Sequence, residues 1–157
     1  MDVVTFLDSV LRRASPSLDS GLSMQPPDST AQVSSLRVLV VDDNEDVADM
    51  TAEMLKMFGH SATTAGDGPS ALAAVEREHP DVVLLDLGLP GMNGLEVAMA
   101  IRANPAARAP LIIAVSGYGR PEDRERSLNA GCEHHLVKPV DFDRLLALLA
   151  TRAPGSG

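Results

Sequence analysis

Five polar side chains stand at the ends of short, mostly aliphatic runs. The runs span 36–41, 81–86, 111–115 and 135–137, and the polar residues are Asp42, Asp43, Asp86, Ser116 and Lys138. Three carboxylates brought close together do not all stay ionised unless cations balance them, because like charges repel near a protein surface. One lysine balances only one of them, so the pattern indicates a divalent cation. Oxygen ligands without a nearby cysteine favour a hard ion, and Mg²⁺ suits a site that meets a phosphate.

Asp86 is the acid best placed to act as a nucleophile. It ends the central predicted strand, and Gly88 keeps the following loop small and open. The rest of the set has supporting roles: direct metal ligation by Asp43, metal ligation through water by Asp42, and binding of phosphoryl oxygens by Ser116 and Lys138. Attack of the Asp86 carboxylate on phosphorus would give an aspartyl phosphate.

The elements that must position these residues alternate between strand and helix. Unbroken aliphatic runs at 36–41, 81–86 and 111–115 predict strands that are covered on both faces, and 60–65 and 135–137 are weaker strands. A stretch of helical character follows each strand. Five such units predict an α/β fold, a doubly wound five-stranded parallel sheet with right-handed crossovers. Ligand sites of such sheets lie beyond the carboxyl ends of the strands, where the five polar residues fall.

The rest of the chain suggests one domain and a tail. The 157 residues suit a single domain, which we place at 36–153. Residues 1–35 form a predicted tail or linker, rich in Ser, Pro, Gly and Asp after residue 14, with a possible short amphipathic helix at 3–13. Residues 154–157 are a predicted disordered terminus.

Composition excludes several classes of function. A net charge of −9 disfavours binding to DNA, which needs surplus Lys and Arg, and three Phe, one Tyr and no Trp offer little for base stacking. A single cysteine excludes a disulfide framework, and no stretch approaches 18 uncharged apolar residues. We therefore predict a cytoplasmic protein that acts on other proteins as a monomer or weak dimer, without DNA or membrane binding.

Four stretches resemble the receiver domain of two-component response regulators. They are VLVVDDN at 38–44, LLDLGLPGMNG at 84–94, VSG at 115–117 and VKPV at 137–140. The resemblance covers residues 36 to about 152, and the sequences of the motifs are most similar to those of receivers attached to hybrid histidine kinases. It implies a flavodoxin-like (βα)5 fold.

The resemblance implies a role for each matching residue. Asp86 would accept a phosphoryl group from a histidine kinase or a histidine phosphotransfer protein. Mg²⁺ would be bound by the carboxylates of Asp42, Asp43 and Asp86 and the backbone carbonyl of Gly88.

The resemblance also implies a conformational switch. Lys138 would pair with the phosphoryl group, and the Lys138–Pro139 peptide bond would be cis. Ser116 would move toward the phosphoryl group and shift the face formed by the fourth helix, last strand and last helix. The family often has Tyr or Phe three residues before the lysine as the partner of this switch, and His135 stands there instead.

Three functions fit this pattern. The favoured one is a stand-alone phosphoacceptor switch that works through an unknown downstream protein, since only about eighteen residues follow Pro139. It is not an enzyme beyond phosphotransfer and self-dephosphorylation. The second is an adaptor or phosphate sink whose tail at 1–35 sets partner binding. The third is an aspartyl-phosphate hydrolase, which is disfavoured because Gly88 stands where a second acid is usually needed.

Overall fold

A computed structural model describes residues 35–104 and 109–152. Over these residues strands and helices alternate, and the elements in chain order are β1 (Arg37–Val41), α1 (Glu45–Met57), β2 (Ser61–Ala65), α2 (Gly68–Glu78), β3 (Val82–Asp86), α3 (Gly94–Ala103), β4 (Leu111–Ser116), α4 (Pro121–Asn129), β5 (His134–Val137) and α5 (Phe142–Leu149). The helix predicted at 3–13 and the predicted terminus at 154–157 lie outside the described residues.

The five strands form one parallel sheet in the order β2-β1-β3-β4-β5. This order confirms the predicted doubly wound topology. The chain leaves β1 toward β2 on one side and returns to β3 on the other side, so a crevice opens above the carboxyl ends of β1 and β3. The predicted site residues lie at that edge.

Apolar residues cover both faces of the sheet. Alternate residues of each strand point to opposite faces, so Leu39 and Val41 of β1 pack with α2 and α3, whereas Val38 and Val40 pack with α1 and α5. The three central strands are buried along nearly their whole length. A strand that is covered on both faces has little freedom to shift, so the backbone at its carboxyl end has a defined position.

Element boundaries differ slightly from those predicted. β5 begins at His134 rather than 135, because His134 pairs with Ile113 of β4. The closing helix α5 begins at Phe142 and ends at Leu149. α4 ends at Asn129, and Gly131 then turns the chain toward β5 with a φ of 107°.

Arg102, near the end of α3, links three segments at the edge of the sheet opposite the site. Its guanidinium donates to the carbonyl oxygens of Gly131 and Pro110, each at 2.9 Å, and to the carboxylate of Glu133 at 2.7 Å. That same carboxylate oxygen accepts from the backbone N–H of Ile112 at 3.0 Å. Hydrogen bonds that involve charged groups are among the stronger ones in proteins, so this cluster stabilises the junction of α3, β4 and β5.

Candidate functional site

Three carboxylates meet at the carboxyl edge of the sheet. Asp42 and Asp43 follow β1 and Asp86 is the last residue of β3, and one oxygen from each lies within 4.8 Å of the others. Asp42 and Asp86 are each only 6% exposed, whereas Asp43 is exposed. The two buried acids each accept a backbone hydrogen bond at 2.9 Å, Asp42 from Asn44 and Asp86 from Gly88. The cluster is therefore fixed by the loops that follow the strands.

Lys138 is the cation that contacts these acids. Its Nζ lies 3.2 Å from Asp86 Oδ2 and 3.4 Å from Asp42 Oδ2. Burial would lower the pKa of Lys138, but the Asp86 and Asp42 carboxylates outweigh it and raise that pKa above its ordinary value. The side chain is therefore an ammonium ion at neutral pH. The Lys138–Pro139 peptide bond is cis.

Ser116 ends β4, and its hydroxyl contacts two groups outside the acid cluster. The Ser116 Oγ donates to the backbone carbonyl of Tyr118 at 2.6 Å and lies 2.7 Å from Nε2 of His135. His135 is 5% exposed, and burial, followed by the positive charge of Arg124, lowers its pKa below the ordinary value while Asp123 opposes this. Ser116 and His135 thus form one buried polar pair beside the carboxylates.

The loop between β3 and α3 requires glycine at one position and leaves space at another. A Cβ on Gly94 would lie 2.6 Å from both the Asp86 carbonyl oxygen and the Leu87 Cα, so a side chain there would displace the backbone that carries Asp86. A Cβ on Gly88 would lie 3.6 Å from Asp86 Oδ1, and one on Gly117 would meet nothing within 4 Å. The approach to Asp86 is therefore open.

A cavity of about 530 Å³ connects these residues. Its lining includes Asp43, Asp86, Gly88, Ser116 and Lys138, which were predicted as site residues, and seven residues that were not: Leu87, Asn93, Leu95, Gly117, Tyr118, Asp123 and Arg126. These seven residues lie in the loops after β3 and β4 and on helices α3 and α4. Loop position at the carboxyl edge was the available signal, because such loops line the site in this class of sheet.

Comparisons with known proteins agree with this geometry. The model of the response regulator receiver domain matches residues 38–150. The probable transcriptional regulatory protein TcrX of Mycobacterium tuberculosis is 44% identical over 117 residues, which cover 71% of this chain and 49% of that protein. A structure of chemotaxis protein CheY4 from Vibrio cholerae has a TM-score of 0.70 and 30% identity, covering 74% of this chain and 98% of that chain. The chain belongs to the receiver domain family of response regulators, proteins of two-component signalling.

The chain spans about half the length of the first curated relatives that it matches, 49% of TcrX and 47% of the sensory transduction protein RegX3 from Mycolicibacterium smegmatis. The similarity therefore concerns the receiver part of those proteins. Among the helices of the described residues, none combines the length and apolar character needed to cross a bilayer.

Proposed function

We propose that this chain accepts a phosphoryl group on Asp86 from a histidine kinase or a histidine phosphotransfer protein. The observation that best supports this role is the gathering of Asp42, Asp43, Asp86 and Lys138 from three distant segments at one edge of the sheet. A buried carboxylate that faces an open cavity and is paired with an ammonium group is suited to nucleophilic attack on phosphorus.

The proposed transfer is a displacement at phosphorus. A carboxylate oxygen of Asp86 attacks the phosphorus of a phosphohistidine, and an oxygen–phosphorus bond forms while the phosphorus–nitrogen bond breaks. The released imidazole takes up a proton from solvent. Lys138, whose Nζ is 3.2 Å from Asp86 Oδ2, is placed to stabilise the negative charge of the phosphoryl oxygens.

The acid cluster fits a hard divalent cation, because all of its donors are carboxylate oxygens within 4.8 Å of one another. Asp42, Asp43 and Asp86, together with the carbonyl of Gly88, would hold Mg²⁺. The bound ion would supply positive charge to the incoming phosphoryl group. With Lys138, it would also balance the three carboxylates.

The proposal extends to how the signal leaves the protein. The net charge of −9 favours protein partners over DNA, so output is proposed to pass through an unknown downstream protein, in the cytoplasm and from a monomer or weak dimer. The phosphoryl group is proposed to be short-lived, because Gly88 and Gly117 leave Asp86 open to water. An adaptor or phosphate-sink role with partner choice in residues 1–35 is the alternative within the same class, and it requires that deletion of the tail abolish partner binding.

Labelling with a small phosphodonor tests the proposal. Wild-type protein, Asp86→Asn and the matched control Asp49→Asn are each incubated with radiolabelled acetyl phosphate, in Mg²⁺ and in EDTA. Asp49 is an exposed residue of α1, and its substitution makes the same change of charge and shape. We expect Mg²⁺-dependent label on wild type and Asp49→Asn and none on Asp86→Asn.

Two results would contradict the proposal: label that persists on Asp86→Asn, or equal labelling of wild type with and without Mg²⁺. Turnover distinguishes the hydrolase alternative in the same samples. A hydrolase would consume a large molar excess of donor within minutes, whereas a receiver releases phosphate only as fast as its own aspartyl phosphate decays.

A further inference from the structure

Helix α4 contributes two charged residues to the lining of the cavity that contains Asp86. Asp123 and Arg126 stand three residues apart on this helix, so they share one of its faces, and both line the cavity. Arg124, which lies between them in the sequence, lines a separate groove. The helix therefore presents Arg126 to the cavity of the phosphoacceptor and Arg124 to a different part of the surface.

Lys138 and Arg126 are the basic residues among the described residues of the lining, and their charges are engaged to different degrees. Lys138 Nζ lies 3.2 Å from Asp86 and 3.4 Å from Asp42. The Arg126 guanidinium lies 4.0 Å from the Asp123 carboxylate, measured from Nη1 to Oδ1, and the arginine side chain is 66% exposed. An ion pair this long and this exposed is weak, so Arg126 can turn toward another anion at small cost.

A phosphodonor meets unfavourable charge on its way to Asp86. The protein has a net charge of −9, and Asp43 and Asp123 line the cavity together with Asp86. This field repels a phosphoryl group that carries two negative charges. Arg126 is more exposed than Lys138, so an anion that arrives from solvent can pair with Arg126 before it reaches the lysine.

We propose that Arg126 is a specificity-determining residue for phosphoryl transfer: it attracts the doubly charged phosphoryl group of the donor into the cavity and so favours dianionic donors over singly charged ones. This inference rests on the proposed phosphoacceptor function. Arg126 acts on the arrival of the donor and not on the attack, because Lys138 is the cation that contacts Asp86. Asp123 opposes Arg126, since its carboxylate pairs with the guanidinium and adds negative charge to the lining.

Two small phosphodonors of different charge test the proposal. Near neutral pH acetyl phosphate is a dianion and phosphoramidate is a monoanion. Each is added in Mg²⁺, at one low concentration, to wild type, Arg126→Gln, Arg126→Lys and the matched control Arg124→Gln. Intact-protein mass spectrometry gives the initial rates of phosphorylation. The ratio of the acetyl phosphate rate to the phosphoramidate rate is compared, because a variant that is partly inactive loses both rates in the same proportion.

We expect this donor ratio to fall about two- to fivefold in Arg126→Gln, the range of an exposed ion pair. Arg126→Lys keeps the charge and Arg124→Gln removes one outside the cavity, so both should keep the wild-type ratio. Asp123→Asn should raise the ratio, because it frees the guanidinium and removes a negative charge. The advantage of wild type over Arg126→Gln with acetyl phosphate should shrink as salt is added, since salt screens exposed charges.

Three results would overturn the inference. One is an unchanged donor ratio in Arg126→Gln, and another is an equal fall in Arg124→Gln, which would indicate a general effect of net charge. The third is an aspartyl phosphate that decays at a different rate on Arg126→Gln than on wild type after the donor is removed, because the residue would then act after the donor has arrived. Failure of both donors to phosphorylate wild type would instead count against the proposed function.

Discussion

Replacing Asp43 with Asn should stabilise the protein when no divalent cation is present. An oxygen of Asp43 lies within 4.8 Å of oxygens of Asp42 and Asp86. Two unit charges at that distance repel by about 0.9 kcal/mol at the dielectric constant of water and by about 3.5 kcal/mol at an effective value of 20. Asp43 is exposed and Lys138 offsets part of the repulsion, so the lower figure applies to each neighbour. We expect Asp43→Asn to raise the free energy of unfolding by about 1–2 kcal/mol in EDTA.

Mg²⁺, in contrast, should stabilise wild type more than it stabilises Asp43→Asn. An ion that binds only the folded state stabilises it by about 2.7 kcal/mol at a concentration one hundred times its dissociation constant. Wild type has all three carboxylates and should gain this stabilisation, whereas Asp43→Asn lacks one ligand and should gain much less. Urea unfolding followed by far-UV circular dichroism, in EDTA and in Mg²⁺, measures both differences.

Asp49→Asn is again the matched control, because it removes one exposed acid outside the cluster. It should unfold like wild type in EDTA and gain the same stability from Mg²⁺. If Asp43→Asn is no more stable than wild type in EDTA, or if Mg²⁺ stabilises the two proteins equally, the three acids do not form one cation site.

Four further outcomes can be checked by unfolding measurements or labelling. Arg102→Ala should lower the free energy of unfolding by about 2–3 kcal/mol, because one guanidinium serves three oxygen acceptors, and Arg102→Lys should restore little of it. Burial lowers the pKa of His60, whose Nδ1 accepts the backbone N–H of Leu36 at 3.2 Å. The stabilisation that His60 gives the folded protein is therefore complete above the unfolded-state pKa of about 6.5, and it declines as the pH falls below that value. His60→Asn, which keeps an acceptor without titrating there, should reduce the loss of thermal stability between pH 7 and 5. Gly94→Ala should slow acetyl phosphate labelling because its Cβ would displace the backbone of Asp86, whereas Gly117→Ala should label normally. Chase experiments after labelling should show an aspartyl phosphate that decays well within hours, and Gly88→Asn should lengthen its life by restricting water.

The fold and the acid cluster were accessible to sequence analysis for a shared physical reason. A strand that is covered on both faces is almost purely aliphatic, so its end is marked by the first polar residue, as at Asp42 and Asp86. The carboxyl ends of parallel strands meet at one edge of the sheet, so the polar residues that follow the strands can be predicted to form one site before any contact is known.

The hydrogen bonding of Ser116 was not accessible in this way. Its partner at Tyr118 is a backbone carbonyl, which every residue type offers, and its partner at His135 depends on which of two ring nitrogens carries the proton. The part of the cavity lining that α4 contributes was not predicted, for a different reason. Asp123 and Arg126 lie on a mixed-charge helix, a composition that indicates an ordinary solvated surface.

The chain separation between the site residues has a consequence for biosynthesis. Lys138 contacts an acid 52 positions earlier and another 96 positions earlier, and it follows the last strand of the sheet. During translation both acids leave the ribosome long before their counter-charge, so a half-made sheet holds repelling carboxylates without the ammonium group that offsets them. Once β5 has formed, Lys138 reaches both acids, and its ammonium group offsets the repulsion that they carried in the incomplete sheet.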